Sequence, residues 1–179
     1  MKDLLQHHIK VFDIKEHDDF KDEVIWLIRE EETQRKGFFS GSDRAKGKDD
    51  FNKHNQKPYQ KKLNEFLSPY FDKYCELIHQ KKYHITKQWY VDYQAEDIDK
   101  VWNYSWHSHV CPFSSVYYLH MDDVNDRTQF RDMDFPFVEE GNLIIFPSFL
   151  VHRSIPTKGH KIIVSTNFLV DYALPRRLN

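Results

Sequence analysis

The chain has 179 residues, 40% of them hydrophobic, 30% charged and 16% aromatic, with a formal net charge of −2. These values exclude a disordered polar chain and give no electrostatic case for nucleic acid or an anionic membrane surface. One domain over residues 1–179 is expected, cytoplasmic and with reduced thiols: no apolar run nears the roughly 20 residues of a bilayer span, no signal-peptide pattern is present, and Cys75 and Cys111 make no disulfide framework.

Residues 4–14 carry a loosely alternating apolar pattern (Leu4, Leu5, Ile9, Val11, Phe12, Ile14) and read as an edge strand. Asp18 or Asp19 is placed to cap a helix running to about Gln34, with Phe20, Val24, Leu27 and Ile28 on one face. Residues 36–57 differ in composition: Gly37, Gly41 and Gly47 stand among serines, lysines and aspartates. They predict a long mobile loop, and either a lid or a solvated insertion fits such a stretch.

From Tyr59 a broad apolar stripe (Leu63, Phe66, Leu67, Tyr70, Phe71, Tyr74, Leu77, Ile78) predicts helix again, with a kink or break at Ser68-Pro69. From Tyr83 the pattern changes to short strands. Trp89, Val91 and Tyr93 alternate with polar neighbours; strands are then expected over residues 101–106, 114–120, 128–135, 143–146, 149–154 and 162–169. Helices in the first third followed by six to eight short strands point to helices packed on an antiparallel sandwich or jelly roll.

The residues with chemistry fall in the strand region. His107 and His109 are spaced to share one face of an extended segment. H-x-H alone is a weak signal in a chain with 11 histidines. It gains weight from His152 on another predicted strand and from Lys161, nine positions further on.

His107-Ser-His109, Ser-Val-Tyr-Tyr-Leu at 115–119, Glu-Gly-Asn-Leu-Ile-Ile-Phe-Pro-Ser at 140–148, His152 and Lys161 through Asn167 together resemble the iron(II)/2-oxoglutarate-dependent oxygenases, in their small prolyl-hydroxylase-like bacterial and viral branch. The resemblance covers roughly residues 83–170 and implies a double-stranded β-helix (jelly roll) core there, braced by helices over about 18–80. It implies Fe(2+), 2-oxoglutarate and O2 as cofactors, and a hydroxylase acting on a small-molecule or peptidyl substrate, proline first among them. His107, His109 and His152 would be the catalytic metal ligands. Lys161 would pair with the far carboxylate of 2-oxoglutarate, Tyr118 would donate to it, and Ser165 and Asn167 would help to line that pocket.

One departure stands out. The family pattern is H-x-D/E with a distal histidine, and His109 occupies the carboxylate position. Either three imidazoles hold the metal, or Asp122 or Asp92 completes the site and His109 lies behind it. Tyr117 and Tyr118 compete for the inward face. Phe146, Trp106, Phe113 and Leu119 are candidates for the apolar wall. His120 and His160 lie near the site in sequence, while His7, His8, His17, His54, His79 and His84 are read as surface residues. Two other classes share this pattern: a cupin-like metal barrel, which would want a glutamate where Phe113 stands, and a jelly-roll binding module without catalysis.

Overall fold

The computed structural model describes residues 8–34, 48–49, 57–94, 105–133, 137–155 and 157–171. Most of the loop expected at 36–57 lies outside them, except that Lys48–Asp49 pairs with Val91 and Asp92 at a sheet edge. The strand expected at 101–106 lies largely outside them as well.

The elements in chain order are β1 (Lys10–Asp13), α1 (His17–Gln34), β2 (Lys48–Asp49), α2 (Pro58–Leu77), β3 (Tyr83–Gln94), β4 (Phe113–Met121), β5 (Gln129–Phe130), β6 (Asn142–Pro147), β7 (His152–Arg153) and β8 (His160–Val170). Asp18 and Asp19 sit in the first turn of α1, where carboxylates complement the positive end of the helix dipole. Pro58 opens α2, where its missing N–H costs nothing.

The break expected at Ser68-Pro69 is absent: α2 runs through Pro69 without interruption. The proline removes a donor to the Glu65 carbonyl, but both residues lie on the exposed face, where water replaces it. The Ser68 hydroxyl also bonds back to the Asn64 carbonyl in that turn.

β1, β6, β4, β8, β3 and β2 form, in that order, one antiparallel sheet; β5 and β7 form a second, much smaller one. The strands expected at 128–135 and 149–154 shrink to two residues each. The causes are local. Asp132 takes a left-handed φ of 59° just after β5, and a turn closed by Leu150 N–H to Pro147 O at 3.1 Å precedes β7.

Strand alternation splits the large sheet into two apolar faces. Tyr117, Leu119, Leu143, Ile145, Ile162, Val164 and Phe168 face α1 and α2 and pack on Phe20, Val24, Ile28, Leu63, Phe71 and Tyr74. Trp89, Val91, Tyr93, Val116, Tyr118, Ile144, Phe146 and Ile163 face the small sheet and pack on Phe130 and Leu150. Tyr118 is therefore on the small-sheet side and Tyr117 on the helix side. Phe113 and Leu119 also belong to the helix side and line no cavity on the other.

A register shift between Tyr118 and His120 reverses the alternation, so Met121 takes the small-sheet face and His120 leaves it. Among the described residues, no helix is long and apolar enough to cross a membrane.

Phe168 joins the two layers, edge-on to Phe71 at 5.2 Å and stacked near Phe113 at 5.5 Å. Phe168→Ala is expected to cost about 3–5 kcal/mol of unfolding free energy, whereas Leu169→Ala, at an exposed neighbour, should stay within about 0.5 kcal/mol. Urea titration of both variants checks the pair.

Candidate metal centre

The centre starts from a backbone contact. His107 and His152 form an antiparallel bridge, N–H to O at 2.9 Å in both directions. Directly opposed residues place their side chains on the same side, and the two rings come to 4.6 Å between centroids. Two residues further along, the His109 N–H bonds to Ser148 O at 3.0 Å. His109 stacks 5.1 Å from His152 with the rings 8° from parallel. One ring nitrogen from each of His107, His109 and His152 lies within 4.8 Å of the other two, a set that could hold a metal ion. His107 and His109 thus share a face as their spacing predicts, although neither lies in a regular strand.

The donor chemistry fits a divalent transition metal. His107 Nδ1 lies 2.8 Å from Ser105 O and His152 Nδ1 lies 2.8 Å from Leu150 O. A carbonyl oxygen only accepts, so both Nδ1 atoms carry the proton and Nε2 holds the lone pair. Imidazole suits iron, zinc, copper and nickel alike. Burial lowers the pKa of His152 to about 3, helped by the neighbouring His107 and His109. Burial, with His107 and Lys87 nearby, lowers His109 to about 4. Both are neutral at pH 7, the form that binds metal.

The two carboxylates considered as a third ligand are engaged elsewhere. Buried Asp92 bonds to Arg29 Nη1 at 2.9 Å and to His160 Nε2 at 2.8 Å. Asp122 pairs with His120 Nε2 at 3.0 Å and takes the His160 N–H at 2.8 Å. His120 and His160 belong to that hydrogen-bonded group and not to the triad.

Lys161, Ile163, Ser165 and Asn167 alternate along the small-sheet face of β8. Lys161 is buried, with its ammonium 2.7 Å from Asp126 O, 2.9 Å from Ser154 Oγ and 3.0 Å from Ile155 O, above the Tyr93 ring at 4.6 Å. Ser154 stands two residues beyond His152, about 7 Å along an extended chain, and is the partner of the ammonium nearest in sequence to the triad. Burial brings its pKa down to about 7, against a small opposing pull from Asp126. The Tyr118 hydroxyl donates to Thr128 Oγ1 and accepts the Thr128 N–H, both at 2.9 Å. Ser165 is buried between the positions of Trp89 and Val116. Asn167 lies with the histidines instead of with Lys161: its amide is 3.2 Å from His109 Nδ1.

Of the expected wall residues, Phe146 does line the centre, edge-on to His152 at 4.9 Å. Trp106 points away, 37% exposed and covered by the Arg153 guanidinium at 4.4 Å. Sequence reading missed Trp89, stacked 5.8 Å from His109, and Phe130, 5.9 Å from His152; alternation with Val91 and Tyr93 was the available signal for Trp89. It also misplaced His17, which is buried, with Nδ1 2.5 Å from the Tyr117 hydroxyl. The i, i+3 spacing of His17 to Phe20 carried that information.

Lowered histidine pKa values have a sign. Unfolded histidines titrate near 6.5, so below that pH the unfolded chain binds protons that folded His109 and His152 refuse, and stability falls as pH drops towards 4 and then 3. In chelator-treated protein, urea midpoints should fall over this range, and His152→Leu should flatten part of the fall.

No family model matches this chain, and no curated protein matches it either. Solved structures do. A viral collagen prolyl hydroxylase from Paramecium Bursaria Chlorella virus-1, in a 2OG complex, is similar with a TM-score of 0.62 at 13% identity, over 90% of this chain and 94% of that one. A Pseudomonas putida prolyl-4-hydroxylase gives 0.62 at 12% identity, over 94% and 98%. HygX from Streptomyces hygroscopicus, with nickel and 2-oxoglutarate bound, gives 0.56 at 11% identity, over 92% and 83%. The structural neighbours are prolyl-4-hydroxylase-like 2-oxoglutarate/iron(II) oxygenases, and this chain has their jelly-roll fold.

Proposed function

We propose that this protein is an iron(II)- and 2-oxoglutarate-dependent dioxygenase that hydroxylates a small-molecule or peptidyl substrate. The observation that carries the reading is the cluster of His107, His109 and His152 within 4.8 Å, set on that fold. Iron(II), when bound, supplies the coupling of 2-oxoglutarate and O2 to succinate, CO2 and a hydroxylated C–H bond. Three protein ligands on one side leave room for the cosubstrate on the other.

The chain's own share is positioning and exclusion of water. Lys161 holds the far carboxylate of 2-oxoglutarate, exchanging neutral carbonyl and hydroxyl acceptors for a charged one, the stronger hydrogen bond. Tyr118 turns its hydroxyl to the same carboxylate by giving up Thr128 Oγ1. Phe146, Phe130 and Trp89 pack against the imidazoles and keep the centre dry. Two of the neighbours hold 2-oxoglutarate and two are prolyl hydroxylases, so free and peptidyl proline are the first substrates to test.

Purified protein with iron(II), ascorbate and 2-oxoglutarate is expected to form succinate, and faster with the right proline donor. Metal binding without succinate across the panel would replace this reading with a cupin-like metal barrel; absence of metal binding would leave a non-catalytic jelly-roll module. His152→Ala should lower iron affinity by more than the roughly 10–100-fold typical of an outer-shell partner.

Lys161 adds a pH signature. Its ammonium, the form that attracts a dicarboxylate, is lost from the free protein above about pH 7, so the 2-oxoglutarate Kd should rise about tenfold per pH unit there. Lys161→Arg, charged throughout, should flatten that rise in a calorimetric titration.

A further inference from the structure

The small sheet has an outer face that the metal centre does not use. The bridge between His107 and His152 turns both imidazoles inward, and alternation turns their neighbours Trp106 and Arg153 outward. Phe130 pairs with His152 and also faces inward, so Arg131, the next residue, joins the outer side. The Arg153 guanidinium lies 4.4 Å and that of Arg131 6.0 Å from the centroid of the Trp106 ring. Arg153 donates only to the neutral Gln129 Oε1, at 3.0 Å, and among the described residues neither guanidinium forms an ion pair. Val110 and Phe149 continue the same two segments and are exposed. The face is thus apolar and cationic at once.

On the opposite side of the molecule α1 carries the counterpart. Asp22, Trp26 and Glu30 follow one another at helical i, i+4 spacing and form one stripe on its exposed face. Trp26 is 57% exposed. Each carboxylate stands about 6 Å from Trp26 along the helix axis, a separation close to that between the arginines and Trp106. Glu23 beside the stripe is held by Lys62 at 2.7 Å, whereas Asp22 and Glu30 form no ion pair among the described residues. Tryptophan and arginine are the side chains that dominate contacts between proteins. Here one surface sets a tryptophan among positive charges and the other sets one among negative charges. A formal net charge of −2 puts little repulsion between two copies.

We propose that this protein associates head to tail with further copies of itself, the Arg131–Trp106–Arg153 patch of one copy receiving the Asp22–Trp26–Glu30 stripe of the next. The two surfaces lie on opposite sides, because α1 covers one face of the large sheet and the small sheet covers the other. The contact is therefore heterologous, and it either continues into a chain of copies or closes as a ring. It needs neither metal nor cosubstrate, so it stands or falls apart from the proposed function.

Sedimentation velocity of the full chain from micromolar to millimolar concentration reads the association directly. Wild type should sediment faster as concentration rises. Raising salt from about 0.1 M to 1 M, which shortens the screening length from about 10 Å to 3 Å, should weaken the effect. The double variant Arg131→Glu/Arg153→Glu should raise the self-association Kd at least about tenfold, because like charges then face each other. Asp22→Arg/Glu30→Arg should do the same from the other side; its positions are exposed on a helix, so it carries the test if the arginine variant does not fold. The two variants mixed in equal amounts should associate again, since each reversed surface then meets a complement. A wild type that stays monomeric throughout would overturn the inference, as would variants within about twofold of wild type or a mixture that fails to recover. A monomeric wild type that binds oligoglutamate through Arg131 and Arg153 would also overturn it and assign the patch to another acidic polypeptide.

Discussion

The site depends on one backbone contact, the pair of hydrogen bonds between His107 and His152 at 2.9 Å each. These residues are far apart in sequence and lie in short or irregular segments, so no long ladder holds them. The bridge does, and it sets two imidazoles side by side before any metal is considered. It also fixes where the third arrives, because the next link of the same zipper is His109 N–H to Ser148 O. A slip of one residue would send a ring to the opposite face.

The large sheet makes that zipper possible by dividing labour between its faces. One face is covered by two helices and a mostly aromatic core. Polar contacts fasten helix to sheet at its rim: Glu140 meets Lys21, His17 and His120, and Asp92 meets Arg29 and His160. Burial alone would raise the Glu140 pKa, yet the Lys21 ammonium, the Met121 N–H and His17 together hold it below the usual carboxylate range. The other face is left to the histidines, Lys161 and Tyr118. Rigidity on one side is what lets the opposite side keep polar groups at defined distances.

Much of this was legible in the sequence, and the boundary is physical. Period-3.6 and period-2 patterns located both helices and the long strands, since burial of a face is what those periods record. The clustering of His107, His109 and His152 was readable because order and spacing survive folding. The run of α2 through Pro69 was not, because whether a lost hydrogen bond matters depends on which side of the helix meets water. The shift between Tyr118 and His120 was equally hidden: strict alternation would have put His120 beside Tyr118, and a single bulge sent it to Glu140 and Asp122 instead. The partners of Asn167 lie on three different segments, and only the folded register brings them together.

The carbonyl locks on His107 and His152 reach back only two residues. Two of the three imidazoles thus carry their chemical instructions within a tripeptide, and ask of the remaining chain only that it bring the tripeptides together. A site built this way tolerates extensive change elsewhere. Loops can lengthen and core residues can be exchanged for others of similar bulk, and the pair keeps its lone pairs aimed at one point. That economy suits a fold that two chains can share while about seven of every eight residues differ, as the 13% identity over most of the chain records here.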